Sequence, residues 1–595
     1  MSVNTFREDE FQRTVSKRET LTRLYKYLFV YKKKIAVVLC IMAVTIAIAL
    51  VNPLIIERAI NVHVAEGDMV GLLRLAVIAL VLNVIWLIGV KVRTIMMAKI
   101  SNEIVLHIRE QLYTHIQTLG LQFFDGRPTG KILARIIGDV NSLKDMMSDS
   151  VTTLIPDMIT VIAVITIMMV KSPALAMSAI ATMPILMVGM YAVMVLGHGR
   201  WQNVRKKNSN INAFVHENFS GIKVVQSFCA EDESAETFDT ILDEHEKSFI
   251  HAVKLADAFG PTIDLTWGMG GFLLYYIGIR LLGMGATQVG TFMAFATYLS
   301  MFWSPIRNLA SLYNKIVNNI SGAERIFEIL DTDPELADKE GAYELPEIEG
   351  RVEFDHVTFA YPDEPERDVI KDICFDIKPG ETIALVGPTG AGKTTIINLI
   401  SRFYDVKAGE IRIDGHPIQD VTIESLRSQM GIMTQENYMF TGTIADNIRY
   451  GKLDATDEEV IWAAKTVGAH DFIMKTEKGY DTPIQSGSGL SVGQRQLVAF
   501  ARTLIAKPRV LILDEATSSI DTHTEIMVQN GIEALLSGRT SFVIAHRLST
   551  IRKADRIFVV DGQKILEAGS HQELLAKKGA YYNLYCAQFK DVLVG

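Results

Sequence analysis

Cysteine is scarce in this chain: Cys40, Cys229, Cys374 and Cys586 are the only four among 595 residues, and no two stand in C-x-x-C spacing. That scarcity argues against a disulfide scaffold and against a zinc site, and the four are expected to be buried, reduced thiols. Proline (16) and glycine (42) are too few for a collagen-like, low-complexity or disordered protein. Positive charge is not in excess either: 59 Lys and Arg face 68 Asp and Glu, a formal net charge of −9. A nucleic-acid partner is therefore not expected. What the sequence does have is apolar residues, 49% of the total against 21% charged, and they are concentrated in the first half.

A bilayer core of about 30 Å needs around 20 apolar residues in a helix. Six such runs occur: Ile35 to Ile56, Leu72 to Val90, Val151 to Val170, Ala174 to Leu196, Phe259 to Leu282 and Val289 to Leu309. Roughly 60 residues separate the second run from the third and the fourth from the fifth, while the other connections are short. Mixed helical periodicity in the long connections predicts helices continuing well beyond the bilayer on one side. Arg7, Arg13, Lys17, Arg18, Arg23, Lys26 and Lys32 to Lys34 precede the first run, whereas the first short loop carries Glu57, Glu66 and Asp68 against Arg58. The positive-inside rule then makes the amino terminus, both long connections and everything after the sixth run cytoplasmic. No signal-peptide pattern precedes the first run, which is expected to be retained. Within the runs, Asp264 and Arg280 bracket the fifth; Asp264 could line a cavity or reach the interface. The Met168 to Met194 cluster of methionines suits flexible packing.

After the sixth run, Asp331, Asp333, Pro334, Glu335, Asp338 and Glu340 mark a polar linker. The expected domains are 1–321 in the membrane, a linker at 322–347 and a soluble domain at 348–595. In the last, short β-branched runs alternate with helices, the pattern of an α/β domain with a largely parallel sheet. Ile383 to Val386 form a strand that leads into Gly387-Pro388-Thr389-Gly390-Ala391-Gly392-Lys393-Thr394-Thr395, which fits G-x-x-x-x-G-K-[ST]. Glycines let backbone N–H groups wrap phosphates at a helix N-terminus, Lys393 supplies a point charge and Thr394 offers a hydroxyl to Mg²⁺. A second strand, Val510 to Leu513, ends in Asp514 and Glu515. Asp514 is placed to orient Mg²⁺ through water, and Glu515 is the natural general base for an attacking water.

Between these motifs Leu490-Ser491-Val492-Gly493-Gln494 is close to LSGGQ, and the chain resembles a half-transporter of the ATP-binding cassette exporter type over nearly its whole length. The resemblance implies an all-α six-helix transmembrane domain fused to an α/β P-loop ATP-binding cassette domain, with ATP and Mg²⁺ as cofactors. Tyr361 resembles the ring that stacks on adenine, Gln435 the glutamine that reaches Mg²⁺, Asp521 the aspartate of the D-loop and His546 the switch histidine. Glu515, His546 and Gln435 would be catalytic; Thr394, Gln435 and Asp514 would hold the metal; Ser491, Gly493 and Gln494 would reach ATP bound on a second subunit. Phe123 to Asp125 with Thr129 to Val140, and Glu217 to Glu231, are similar to the two coupling regions of such exporters.

Two departures stand out. Val492 replaces the usual signature glycine, and Thr482 to Gly489 lacks the T-x-V-G-E-x-G motif. Together with retained Glu515 they favour a heterodimer with a second half-transporter over a homodimer. The resemblance implies a multi-pass protein of a bacterial inner membrane, exporting amphipathic small molecules, lipids or peptides by an ATPase cycle. A lipid flippase, an exporter-fold importer or an ATP-gated regulator are the alternatives.

Overall fold

The computed structural model describes residues 17–125, 127–281, 283, 288–433, 438–484, 489–514, 522–545 and 548–589. The chain divides into two compact units, one of Met1–Gln117 with Gly130–Thr332 and one of Thr118–Thr129 with Asp333–Gly595.

The first unit is helical among its described residues. Among the described residues, each of the six apolar runs falls on helix, apart from a turn at 181–182 within the fourth. Three stretches, Lys32–Val64, Met69–Thr118 and Thr129–Lys171, are long and apolar enough to cross a membrane, and the shorter apolar Pro173–Gly189 follows. At 1.5 Å per residue the 50-residue helix Met69–Thr118 is about 75 Å long, more than twice a bilayer core. The second long connection is a helical hairpin of Met183–Ser220 and Glu231–Ala256. Phe214 stacks on Phe238 at 5.9 Å across it, and Lys207 pairs with Glu244 at 2.5 Å.

Val164, Met168, Leu175, Leu186, Phe295, Tyr298, Phe302 and Trp303 form one buried cluster of this unit. The Tyr298 hydroxyl donates to the Leu50 carbonyl at 2.7 Å, so the tyrosine is held at its polar end as well. Asp139 accepts both guanidinium N–H groups of Arg325, at 2.8 and 2.5 Å. The last helix, Val289–Leu330, carries residues 322–330 of the expected linker as helix, because Ile326, Phe327 and Ile329 continue its buried face.

The second unit is α/β. Strands β1 (Val352–Ala360), β2 (Asp368–Ile377), β4 (Ala408–Ile413) and β5 (His416–Pro417) make an antiparallel sheet in the order β2-β1-β4-β5. A six-stranded sheet contains β3 (Thr382–Val386), β6 (Met430–Met433), β9 (Val510–Asp514), β10 (Thr540–Ile544), β11 (Arg556–Asp561) and β12 (Lys564–Gly569). Its order is β12-β11-β3-β10-β9-β6, parallel except for the β11–β12 pair. Strands β7 (Gly442–Thr443) and β8 (Pro483–Ile484) form a separate pair. The strands β3, β9 and β10 are buried on both faces over most of their length, as a sheet covered on both sides requires.

The expectation of buried thiols is wrong: Cys40, Cys229 and Cys374 are exposed and Cys586 is half-buried, all four unbridged. Cys40 lies on the helix Lys32–Arg58 and Cys374 on β2, on faces turned away from the core.

Candidate nucleotide site

In an open parallel sheet, ligands gather at the carboxyl ends of the strands. Here β3 runs into the glycine-rich loop and β9 ends in Asp514, with β10 between them in parallel register. The loop folds as its glycines dictate. Gly387 has φ of 152°, and a Cβ there would lie 2.1 Å from the Val560 carbonyl oxygen, so no other residue fits without displacing β11. Gly390 and Gly392 also have positive φ, and Gly392 caps the helix Lys393–Ile400 in the left-handed conformation. Pro388, Thr389 and Ala391 complete the turn.

Lys393 is buried, and its Nζ donates to the Gly387 and Pro388 carbonyls at 2.8 Å each. Burial pulls its pKa down, and the Asp514 carboxylate partly offsets this. Thr394 follows on the same first helical turn. The Thr395 hydroxyl is 3.0 Å from the Tyr361 hydroxyl. The Tyr361 ring stands edge-on to Phe359 at 5.0 Å and to Tyr404 at 5.2 Å.

Tyr404 was not anticipated from sequence. Its hydroxyl donates to Asp125 at 2.5 Å, within the same unit, and burial together with that carboxylate raises its pKa. Asp125 ends the short helix Leu121–Asp125, on which Phe123 is buried and stacks under the Arg127 guanidinium at 4.4 Å. A lone tyrosine after a helix carries no periodicity signal, so only the fold reveals the pair.

Ser491 caps the helix Val492–Ile505 through a capping box. The Gln494 N–H donates to Ser491 Oγ at 3.2 Å, and the Ser491 N–H donates to Gln494 Oε1 at 2.9 Å. Gly493 is buried, while the Val492 side chain is 47% exposed and so fits without crowding the helix. Gln435, Glu515, Asp521 and His546 lie outside the described residues. In sequence, Gln435 follows β6 by two residues, Glu515 adjoins β9 and His546 follows β10 by two.

The residues present suit Mg²⁺ as a cofactor of ATP: hydroxyl and carboxylate oxygens are hard donors, and Asp514 acts electrostatically on the phosphate-loop lysine.

Comparison with known proteins agrees with this geometry. The ABC transporter transmembrane region model matches residues 35–306, and the ABC transporter model matches residues 370–518. The Bacillus subtilis (strain 168) ABC transporter ATP-binding protein YknV, itself uncharacterized, is 40% identical over 577 residues, covering 96% of this chain and 95% of its own. The ATP-dependent lipid A-core flippase of Syntrophus aciditrophicus (strain SB) is 40% identical over 509 residues, 84% of this chain and 83% of its own. Among solved structures, a bacterial Atm1-family ABC exporter with ATP bound matches with a TM-score of 0.77 and 28% identity, over 94% of this chain and 98% of that one. With helices apolar enough to span a bilayer and a phosphate loop in one polypeptide, the chain belongs to the ABC transporter family, as an integral membrane exporter whose ATPase domain is coupled to transport.

Proposed function

We propose that this subunit drives alternating-access export of amphipathic molecules, such as drugs, lipids or hydrophobic peptides, as one half of a dimer. The observation that carries the reading is the glycine-rich loop after β3 with the buried Lys393 bonded into it, on the same chain as helices long enough to span a bilayer. The lipid class gains support from the 40% identity to a lipid A-core flippase. We assign 1–321 to the membrane domain, 322–347 to the linker and 348–595 to the nucleotide domain, with the amino terminus and the nucleotide domain in the cytoplasm of a bacterial cell.

The glycine-rich loop and Lys393 bind the phosphates of ATP, and Tyr361 supports the adenine. Thr394, Gln435 and Asp514 would hold Mg²⁺, which would supply positive charge to the phosphate oxygens. Glu515 accepts the proton of the attacking water, and His546 steadies the reacting phosphate. Ser491, Gly493 and Gln494 of each half meet the triphosphate held by the other, and Asp521 lies along that junction. Closing the dimer from a 1:99 to a 99:1 population requires about 5.5 kcal/mol of differential ATP binding. Two triphosphates with charge-assisted hydrogen bonds are of that order.

Retained Glu515 beside the altered Val492 favours a heterodimer, in which this chain supplies the general base and a second half-transporter supplies the intact signature. The test is ATP hydrolysis by the chain alone in lipid nanodiscs, paired with Glu515→Gln. Negligible turnover with intact ATP binding, restored by a partner subunit and lowered about 100-fold or more by Glu515→Gln, is the expected result. Robust turnover by the chain alone would establish a homodimer instead, and turnover insensitive to Glu515→Gln would remove the residue from catalysis.

A further inference from the structure

The antiparallel sheet carries a side-chain cluster that ATP handling does not use. Along the β1–β2 pair the register passes from Phe354↔Phe375 to Val357↔Ile373. Asp355 and His356 therefore share a single opposite residue, Cys374, which is a β-bulge. The next step, to Phe359↔Ile370, places the extra residue on β2. Two bulges back to back hold two side-chain-bearing residues in left-handed backbone, His356 at φ 51° and Asp372 at φ 53°. The backbone N–H of His356 donates to Cys374 Sγ at 3.2 Å, and that of Asp372 donates to Thr358 Oγ1 at 3.1 Å.

The result is a convergence of unlike donors. A carboxylate oxygen of Asp355, a ring nitrogen of His356 and Cys374 Sγ lie within 4.8 Å of one another, all on exposed residues. His356 Nδ1 is 2.6 Å from Asp372 Oδ1. A carboxylate that holds one ring nitrogen of a histidine and leaves the other to ligate is the outer-shell support of metal-binding histidines. Arg412 competes weakly: its guanidinium is 3.8 Å from Asp355 but 2.5 Å from Glu410.

We propose that Asp355, His356 and Cys374 form a surface site for one borderline, thiophilic divalent cation, Zn²⁺ or Co²⁺, with Asp372 as the positioning residue. One sulfur, one nitrogen and one oxygen donor select such ions over Mg²⁺ and Ca²⁺, which take oxygen. Tetrahedral bonds of about 2.0–2.3 Å bring ligand atoms to about 3.5 Å apart. From within 4.8 Å of one another the three side chains must close by about 1 Å to reach that spacing, Asp355 and Cys374 turning at the surface toward the ring that Asp372 holds. Water takes the fourth position, so the ion exchanges. Sequence spacing hides the site, because Cys374 stands 18 positions from His356 and the strand pairing alone brings them together.

The test is a Co²⁺ titration of the tag-free, full-length protein in nanodiscs, read by the sulfur-to-cobalt charge-transfer band and followed by Zn²⁺ competition. One equivalent of Co²⁺ should give the band and Zn²⁺ should displace it. Cys374→Ser should abolish it, while the triple Cys40→Ser, Cys229→Ser, Cys586→Ser protein keeps it. His356→Asn, a residue that tolerates the left-handed backbone, and Asp372→Asn should each weaken affinity tenfold or more. No band at millimolar Co²⁺, or a band that survives Cys374→Ser, would overturn the site. Unchanged affinity in Asp372→Asn would overturn its positioning role.

Discussion

Gly387 shows how one position can be closed to every other residue. Its φ of 152° and the Val560 carbonyl, 2.1 Å from where a Cβ would lie, leave alanine no place without moving the backbone of β11. Gly387→Ala should impose strain of about 1–3 kcal/mol on the loop and its neighbour strand. We expect a nucleotide domain that melts several degrees lower and binds ATP at least tenfold more weakly, measured by thermal denaturation and by nucleotide titration. A variant that binds ATP like the parent would mean that the loop relaxes more readily than its packing implies. The need for glycine here was visible in the sequence as a motif, but its cause was not, since Val560 lies 173 residues downstream of Gly387.

Helix starts in the nucleotide domain show a contrast with a chemical logic. Three helices close their first turn with a carboxylate: Thr443 with Asp446, Thr456 with Glu459, and Ser570 with Glu573. Such a carboxylate complements the positive end of the helix dipole. The helix beginning at Val492 uses the same box with a neutral residue, Ser491 with Gln494. In the proposed dimer that helix start meets a triphosphate, where a carboxylate would repel it. Gln494→Glu should therefore keep the cap and the melting temperature, yet reduce ATP turnover about tenfold or more. Equal loss of stability and turnover would instead point to a damaged cap. Strands β3 and β9 were legible, because the short apolar runs Ile383 to Val386 and Val510 to Leu513 suit strands buried on both faces and each leads into a motif; the antiparallel sheet β2-β1-β4-β5 was not read from the sequence. Exposure of the cysteines was not legible, since rarity in composition says nothing about which face of a strand or helix a side chain occupies.

At the scale of the molecule, the α/β unit is discontinuous: residues 118–129 join it although they lie within the membrane-half sequence. Phe123 is buried there, and Asp125 accepts the Tyr404 hydroxyl. A fragment of residues 333–595 should consequently expose an apolar surface worth about 2 kcal/mol of lost burial. It should be less soluble and melt lower than a fragment supplied with a peptide of residues 118–129. Identical melting with and without the peptide would show that the α/β core is self-sufficient. This arrangement also has a consequence for biosynthesis. Asp125 and Tyr404 are 279 positions apart, so at about 5–20 residues per second the ribosome makes the first roughly 15–60 s before the second. During that interval Asp125 lacks the hydroxyl that it accepts in the folded unit, and the segment of residues 118–129 must wait for residues 333–595 to be made before its unit can be completed.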